Sequence, residues 1–131
     1  IANADGGSVM TSVQFNFFGA FASLESLRPL LARSPAAPRA VAVSPIGALF
    51  AAQPDLVDDR LGGDEPLRSP SPARAREAGP AGADLHRVRQ TVYCGAKLAV
   101  IRWCRRAART PDWAGAGILL NVVALGVYYT P

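Results

Sequence analysis

The apolar residues of this 131-residue chain fall into a few separated runs, and their spacing changes from run to run. Residues 1–4 (IANA) are a short apolar stretch broken by Asp5-Gly6-Gly7-Ser8, which predicts the end of a strand entering a loop. From Thr11 to Arg33, Phe17, Phe21, Leu24, Leu27 and Leu31 recur at helical spacing. Pro29 lacks a backbone donor and should kink or shorten the last turns of that helix, which Ser34-Pro35 ends. Residues 39–44 (RAVAVS) stay apolar more than they alternate, and a short β-branched run bounded by prolines predicts a strand buried on both faces.

Charge, proline and glycine concentrate in residues 54–85. Residues 48–87 therefore form a surface insertion, with two short helical pieces expected near Asp55–Leu61 and Ala73–Ala78. Residues 88–108 return to helical spacing, with Val92, Ala96, Leu98, Ala99, Ile101 and Trp103 on the apolar side. Residues 117–124 (GILLNVVA) form a second β-branched run between glycines. The order strand, helix, strand, insertion, helix, strand predicts an α/β fold. About three parallel strands would be covered by flanking helices and joined by right-handed crossovers. With both of its edges unpaired, a sheet so small predicts self-association or pairing with a complementing chain.

Half of the residues are apolar and the net charge is +4, so composition excludes a disordered tail and does not demand an acidic partner. Arg102, Arg105, Arg106 and Arg109 cluster at the end of the second long helix, where cations match the negative end of the helix dipole. No aromatic stacking platform accompanies them, so a nucleic-acid partner is not expected. The stretch from Ala114 to Tyr129 is ~16 residues and holds Asn121 and glycines, short of the ~20 needed to span a bilayer, so no membrane association is expected. Cys94 and Cys104, ten apart on one helix, would sit ~15 Å apart, too far for a disulfide. With His86 the only histidine, no metal-ligand spacing surrounds them. The N-terminal residues carry no basic segment followed by a long apolar one, so a cytoplasmic setting is the expectation.

The pair with chemistry is Tyr93 and Lys97. Four apart on a helix, they share one face a single turn apart. A phenol ordinarily titrates near ~10, and an adjacent ammonium favours the phenolate and lowers that value. Such a group exchanges a proton near neutrality, as carbonyl–alcohol interconversion by hydride transfer requires. In a chain whose basic charge is otherwise all arginine, the sole lysine stands at this spot. A guanidinium would not replace a compact ammonium that contacts a phenol and a ribose together.

Set around that pair, the sequence resembles the C-terminal part of the short-chain dehydrogenase/reductase family over nearly its whole length. Ile1-Ala2-Asn3-Ala4-Asp5 resembles the Asn-Ala-Gly element closing the fourth strand. Asn16, in VQFNFFGAF, matches the asparagine of the following helix, and Val41–Pro45 matches the fifth strand, which usually ends in the catalytic serine. Tyr93-Cys94-Gly95-Ala96-Lys97 matches Tyr-x-x-x-Lys, and NVVALGVYYT from Asn121 to Thr130 resembles the element after the sixth strand. The phrases FFGAF and LRPLLARS are most similar to bacterial hydroxysteroid and aryl-alcohol dehydrogenases of that family.

The resemblance implies a partial Rossmann-like, dinucleotide-binding domain over 1–131, with NAD or NADP as cofactor and a small-molecule alcohol or ketone as substrate. It implies Tyr93 as general acid/base, Lys97 lowering its pKa and holding the nicotinamide ribose, Asn16 ordering a proton-relay water and Ser44 as the candidate hydroxyl. Asn3, Ala4, Gly126 and Thr130 would lie along the cofactor with Tyr93 and Lys97. The sequence departs from the pattern in four places. No Thr-Gly-x-x-x-Gly-x-Gly occurs, so the amide-rich turn that grips a pyrophosphate is missing and little activity is expected of the chain alone. Pro45 occupies the serine register with Ser44 one residue early. Asp5 replaces the glycine of Asn-Ala-Gly. Leu125-Gly126 replaces Pro-Gly. A non-catalytic assembly module derived from the family is the alternative expectation.

Overall fold

A computed structural model describes residues 12–50 and 85–126. The expected first strand with Asn3, Ala4 and Asp5, the two helical pieces of the insertion, and Thr130 lie outside the described residues.

The first helical run opens in a π-helical segment, Gln14–Gly19, and passes directly into α1, Ala20–Leu31. Nothing in the spacing of apolar residues announced the wide turn. Phe17 stacks on Phe21 at a 6.3 Å centroid separation and meets Phe18 edge-on at 5.5 Å. α1 continues through Pro29 and stops two residues later. So near the C-terminus the ring removes only one hydrogen bond, and Ala32 N–H still reaches the Arg28 carbonyl at 2.9 Å.

β1, Arg39–Pro45, is followed by a single 3₁₀ turn, Ile46–Leu49. α2 spans Leu85–Ala107, a π-helical turn covers Pro111–Gly115, and β2 is Leu119–Leu125. Gly117 stands at φ 73° between the turn and β2, where only glycine is unstrained. Placed there, it lets Ile118 N–H bond the Trp113 carbonyl at 2.9 Å as the chain swings into the strand.

The two strands pair in parallel from Arg39↔Leu119 to Pro45↔Leu125. Parallel neighbours require a crossover, and α2 lies within it. Among the described residues the sheet has two strands. The α/β class and the parallel pairing agree with the sequence expectation.

The expectation of strands buried on both faces is corrected. Burial in β1 alternates: Ala40, Ala42 and Ser44 are covered, while Val41 and Val43 are 54% and 52% exposed. Leu119, Val123 and Leu125 are exposed on the same outer side of β2. The reason is that α1 and α2 both pack on one side of the sheet. Small side chains meet there: Ala40 and Ala42 lie in one core cluster with Ala96, Ala99, Val100 and Cys104 of α2, closed by Phe17, Trp113, Ile118 and Leu120. The apolar positions of α2 recur at three- and four-residue intervals, which makes that stripe continuous.

An aromatic chain ties the helices together. Trp103 of α2 meets Phe21 of α1 at 5.2 Å and Trp113 at 6.1 Å, both edge-to-face. Within the apolar run from Ala114 to Tyr129, β2 occupies Leu119–Leu125, and among the described residues no helix is long and apolar enough to cross a membrane.

Candidate functional site

Tyr93 and Lys97 face the same way from α2, as their spacing demanded. The Lys97 ammonium Nζ lies 5.9 Å from the centre of the Tyr93 ring. That places the cation over the aromatic face, within the range of a cation–π contact. Both residues are half-buried. Burial lowers the Lys97 pKa from its ordinary 10.5, because removing water penalises the charged form. The neighbouring groups follow the same rule. Cys94, beside Tyr93, is buried and its thiol is pushed up, an effect partly offset by a 3.8 Å hydrogen bond from Gln90 Nε2. Cys104 is pushed up to about 11 by burial. Both cysteines are free thiols, as their separation required.

Ser44 sits at the end of β1 on the helix-covered side. Its residue is 1% exposed, and Oγ has no hydrogen-bond partner among the described residues. Alternation along the strand thus settles its direction: Ser44 faces the α2 side, while Pro45, in the expected serine register, is the next residue along. A buried hydroxyl left without a partner is uncommon and costs free energy unless a ligand or substrate completes it.

Asn16 lies buried in the π-helical segment, a type of turn that recurs at functional sites. Its Nδ2 donates to the Ser12 carbonyl at 2.8 Å and to Ser12 Oγ at 3.3 Å, so the amide is held by its own helix. The segment carrying Asn16 and the 3₁₀ turn that follows Ser44 both pack against α2. Two of the expected site elements therefore pack against the helix that bears Tyr93 and Lys97. Gly126 directly follows β2 and is exposed, with open space where a Cβ would stand.

For a nicotinamide cofactor, the fit of these residues is one-sided. A phenol, a neighbouring ammonium and an uncompleted buried hydroxyl are the groups that an oxygen gaining or losing a proton would need. Among the described residues no group of histidine, cysteine and acidic side chains could hold a metal ion. Comparison of the chain with protein-family models, curated proteins and solved structures gives no match.

Proposed function

We propose that this chain supplies the proton-transfer side of a nicotinamide-dependent oxidoreductase that interconverts an alcohol and a ketone or aldehyde. The family is the one it resembles, the short-chain dehydrogenase/reductases. The observation that carries the reading is the Lys97 ammonium 5.9 Å from the Tyr93 ring centre on the helix that covers a parallel sheet. Tyr93 gives its proton to a carbonyl oxygen during reduction and takes it back during oxidation. Lys97 supplies a fixed positive charge that favours the phenolate and holds the ribose of the cofactor. Ser44 completes its hydroxyl on the substrate oxygen, and Asn16 holds a water for proton return. The nicotinamide, NAD or NADP, would supply the hydride when bound. No glycine-rich phosphate turn occurs in the 131 residues, so these residues do not themselves supply the usual grip on its pyrophosphate.

The test is a fluorescence titration of the full chain with NADH and NADPH, followed by turnover with aldehydes and ketones. Saturable binding that Tyr93→Phe preserves, with turnover that it abolishes, supports the proposal. Turnover that survives Tyr93→Phe sinks it.

A second reading, an assembly module without catalysis, is favoured by the exposed outer sheet face of Val41, Val43, Leu119 and Val123. It expects no cofactor binding and a defined oligomer in light scattering, broken by Val43→Lys.

A further inference from the structure

We propose that the edge of β2 turned away from β1 takes up an extended acidic peptide segment of a partner protein as an added strand. This surface is separate from Tyr93 and Lys97 and does not depend on their chemistry.

The direction of the β2 backbone follows from one hydrogen bond. Leu119 N–H donates to the Pro38 carbonyl at 3.0 Å, so the backbone groups of Leu119 point toward β1. Along a strand these groups alternate sides from one residue to the next, while the parallel pairing with β1 runs on unbroken to Pro45↔Leu125. The N–H and C=O groups of Leu120, Val122 and Ala124 therefore point away from β1. Among the described residues the sheet holds no third strand to receive them. An edge of this kind is a template for another strand.

A groove runs along the same edge. Leu120, Val122 and Ala124, the three residues whose backbone groups point outward, all line it, and no residue of β1 does. Main-chain pairing there would supply affinity without choosing a sequence, so the choice falls to neighbouring side chains. Arg105 and Arg106, near the end of α2, and Arg109, two residues past that end, line the groove and are exposed. No aspartate or glutamate lines it. Three cations beside an open strand edge complement carboxylates on an incoming strand.

The same charges disfavour a second copy of this chain as the occupant. Two copies joined β2 to β2 about a two-fold axis present the same patch to each other, so each brings its own Arg105, Arg106 and Arg109 to the junction. Like charges brought together there would oppose the pairing.

The test is fluorescence anisotropy of a labelled peptide alternating glutamate and valine, matched to the seven residues of β2 and titrated with the full chain. Saturable binding is expected, weakened about tenfold or more by Arg105→Gln with Arg106→Gln. Arg33→Gln with Arg39→Gln removes as much charge elsewhere and should leave binding unchanged. Ala124→Pro deletes an N–H that points away from β1, a position where a strand tolerates proline, so it should abolish binding while circular dichroism is retained. N-methylation of every peptide amide removes the pairing donors from the ligand and leaves the protein intact; it should also abolish binding. Lysine in place of each glutamate should weaken binding at least about tenfold. Equal binding of the N-methylated or the lysine peptide, or equal loss in the Arg33 and Arg39 control, would overturn the proposal. So would a dimer in sedimentation that Ala124→Pro dissolves and the glutamate peptide does not compete away.

Discussion

The indole Nε1 of Trp113 donates to Oε1 of Glu25 across 3.4 Å, joining residues 88 positions apart in sequence. Trp113 is 1% exposed and stands on Trp103, so it closes the core where α1, α2 and the turn before β2 meet. Trp113→Ala should cost about 3–5 kcal/mol, the usual range for emptying a buried aromatic site. Glu25→Gln keeps an acceptor for the indole and should cost under about 1 kcal/mol. Urea unfolding followed by tryptophan fluorescence checks both, and equal losses in the two variants would contradict this division of roles.

Ser44 offers a prediction of opposite sign for stability and function. Its buried Oγ is unpartnered among the described residues, so Ser44→Ala removes a desolvated hydroxyl and should stabilise the fold by roughly 1 kcal/mol. If the hydroxyl serves a substrate oxygen, the same variant loses turnover. A higher urea midpoint together with lost activity is the expected pattern, and a lower midpoint would mean that the hydroxyl is satisfied in the folded protein.

For the Tyr93–Lys97 pair, Tyr93→Phe should lower turnover by about 10²–10⁴-fold, the usual contribution of a positioned acid/base. Lys97→Arg keeps the charge but changes its shape, and should impair turnover with little effect on thermal stability. Steady-state rates with melting temperatures on the same preparations separate these outcomes from misfolding.

Much of this was readable in advance because it depends on local spacing. The four-residue interval of Tyr93 and Lys97 put them on one helical face, and the Cys94–Cys104 separation excluded a disulfide. What escaped the sequence was non-local. The strand at 39–44 read as apolar on both sides because valines and alanines look alike in a hydrophobic pattern. Which side a helix would cover, and hence that Val41 and Val43 face outward, depends on where α1 and α2 dock. The wide turn at Gln14–Gly19 was hidden because Phe17 within it and Phe21 beyond it are four apart, an interval an ordinary helix also gives. The arginines at the end of α2 were visible as a cluster, but that Leu49 and β2 would line the same groove depends on packing between segments distant in sequence.

Cys104 sets an alkaline limit. Its folded-state pKa is raised from 9.0 to about 11 by burial, so between those values the unfolded chain releases a proton that the folded chain keeps. The stability contributed by the neutral thiol is fully present below pH 9 and is lost as pH rises toward about 11. Lys97, with its pKa lowered, acts in the opposite direction, favouring the fold as pH rises toward 10.5. Comparing urea midpoints of the native chain and Cys104→Ala from pH 8 to 11 isolates the thiol; identical slopes would show that burial does not govern it.

The wide turn Gln14–Gly19 makes the first helix sensitive to length as well as to chemistry. A π turn spends one residue more than an α turn, so the side chains ahead of it are indexed differently from those of α1. Excising one residue there would restore a regular helix and rotate Asn16 and Phe17 by about a quarter turn relative to Phe21. The backbone would tolerate the deletion well while the buried amide and the stacked rings lost their alignment, so at this place the count of residues specifies the arrangement as much as their identity.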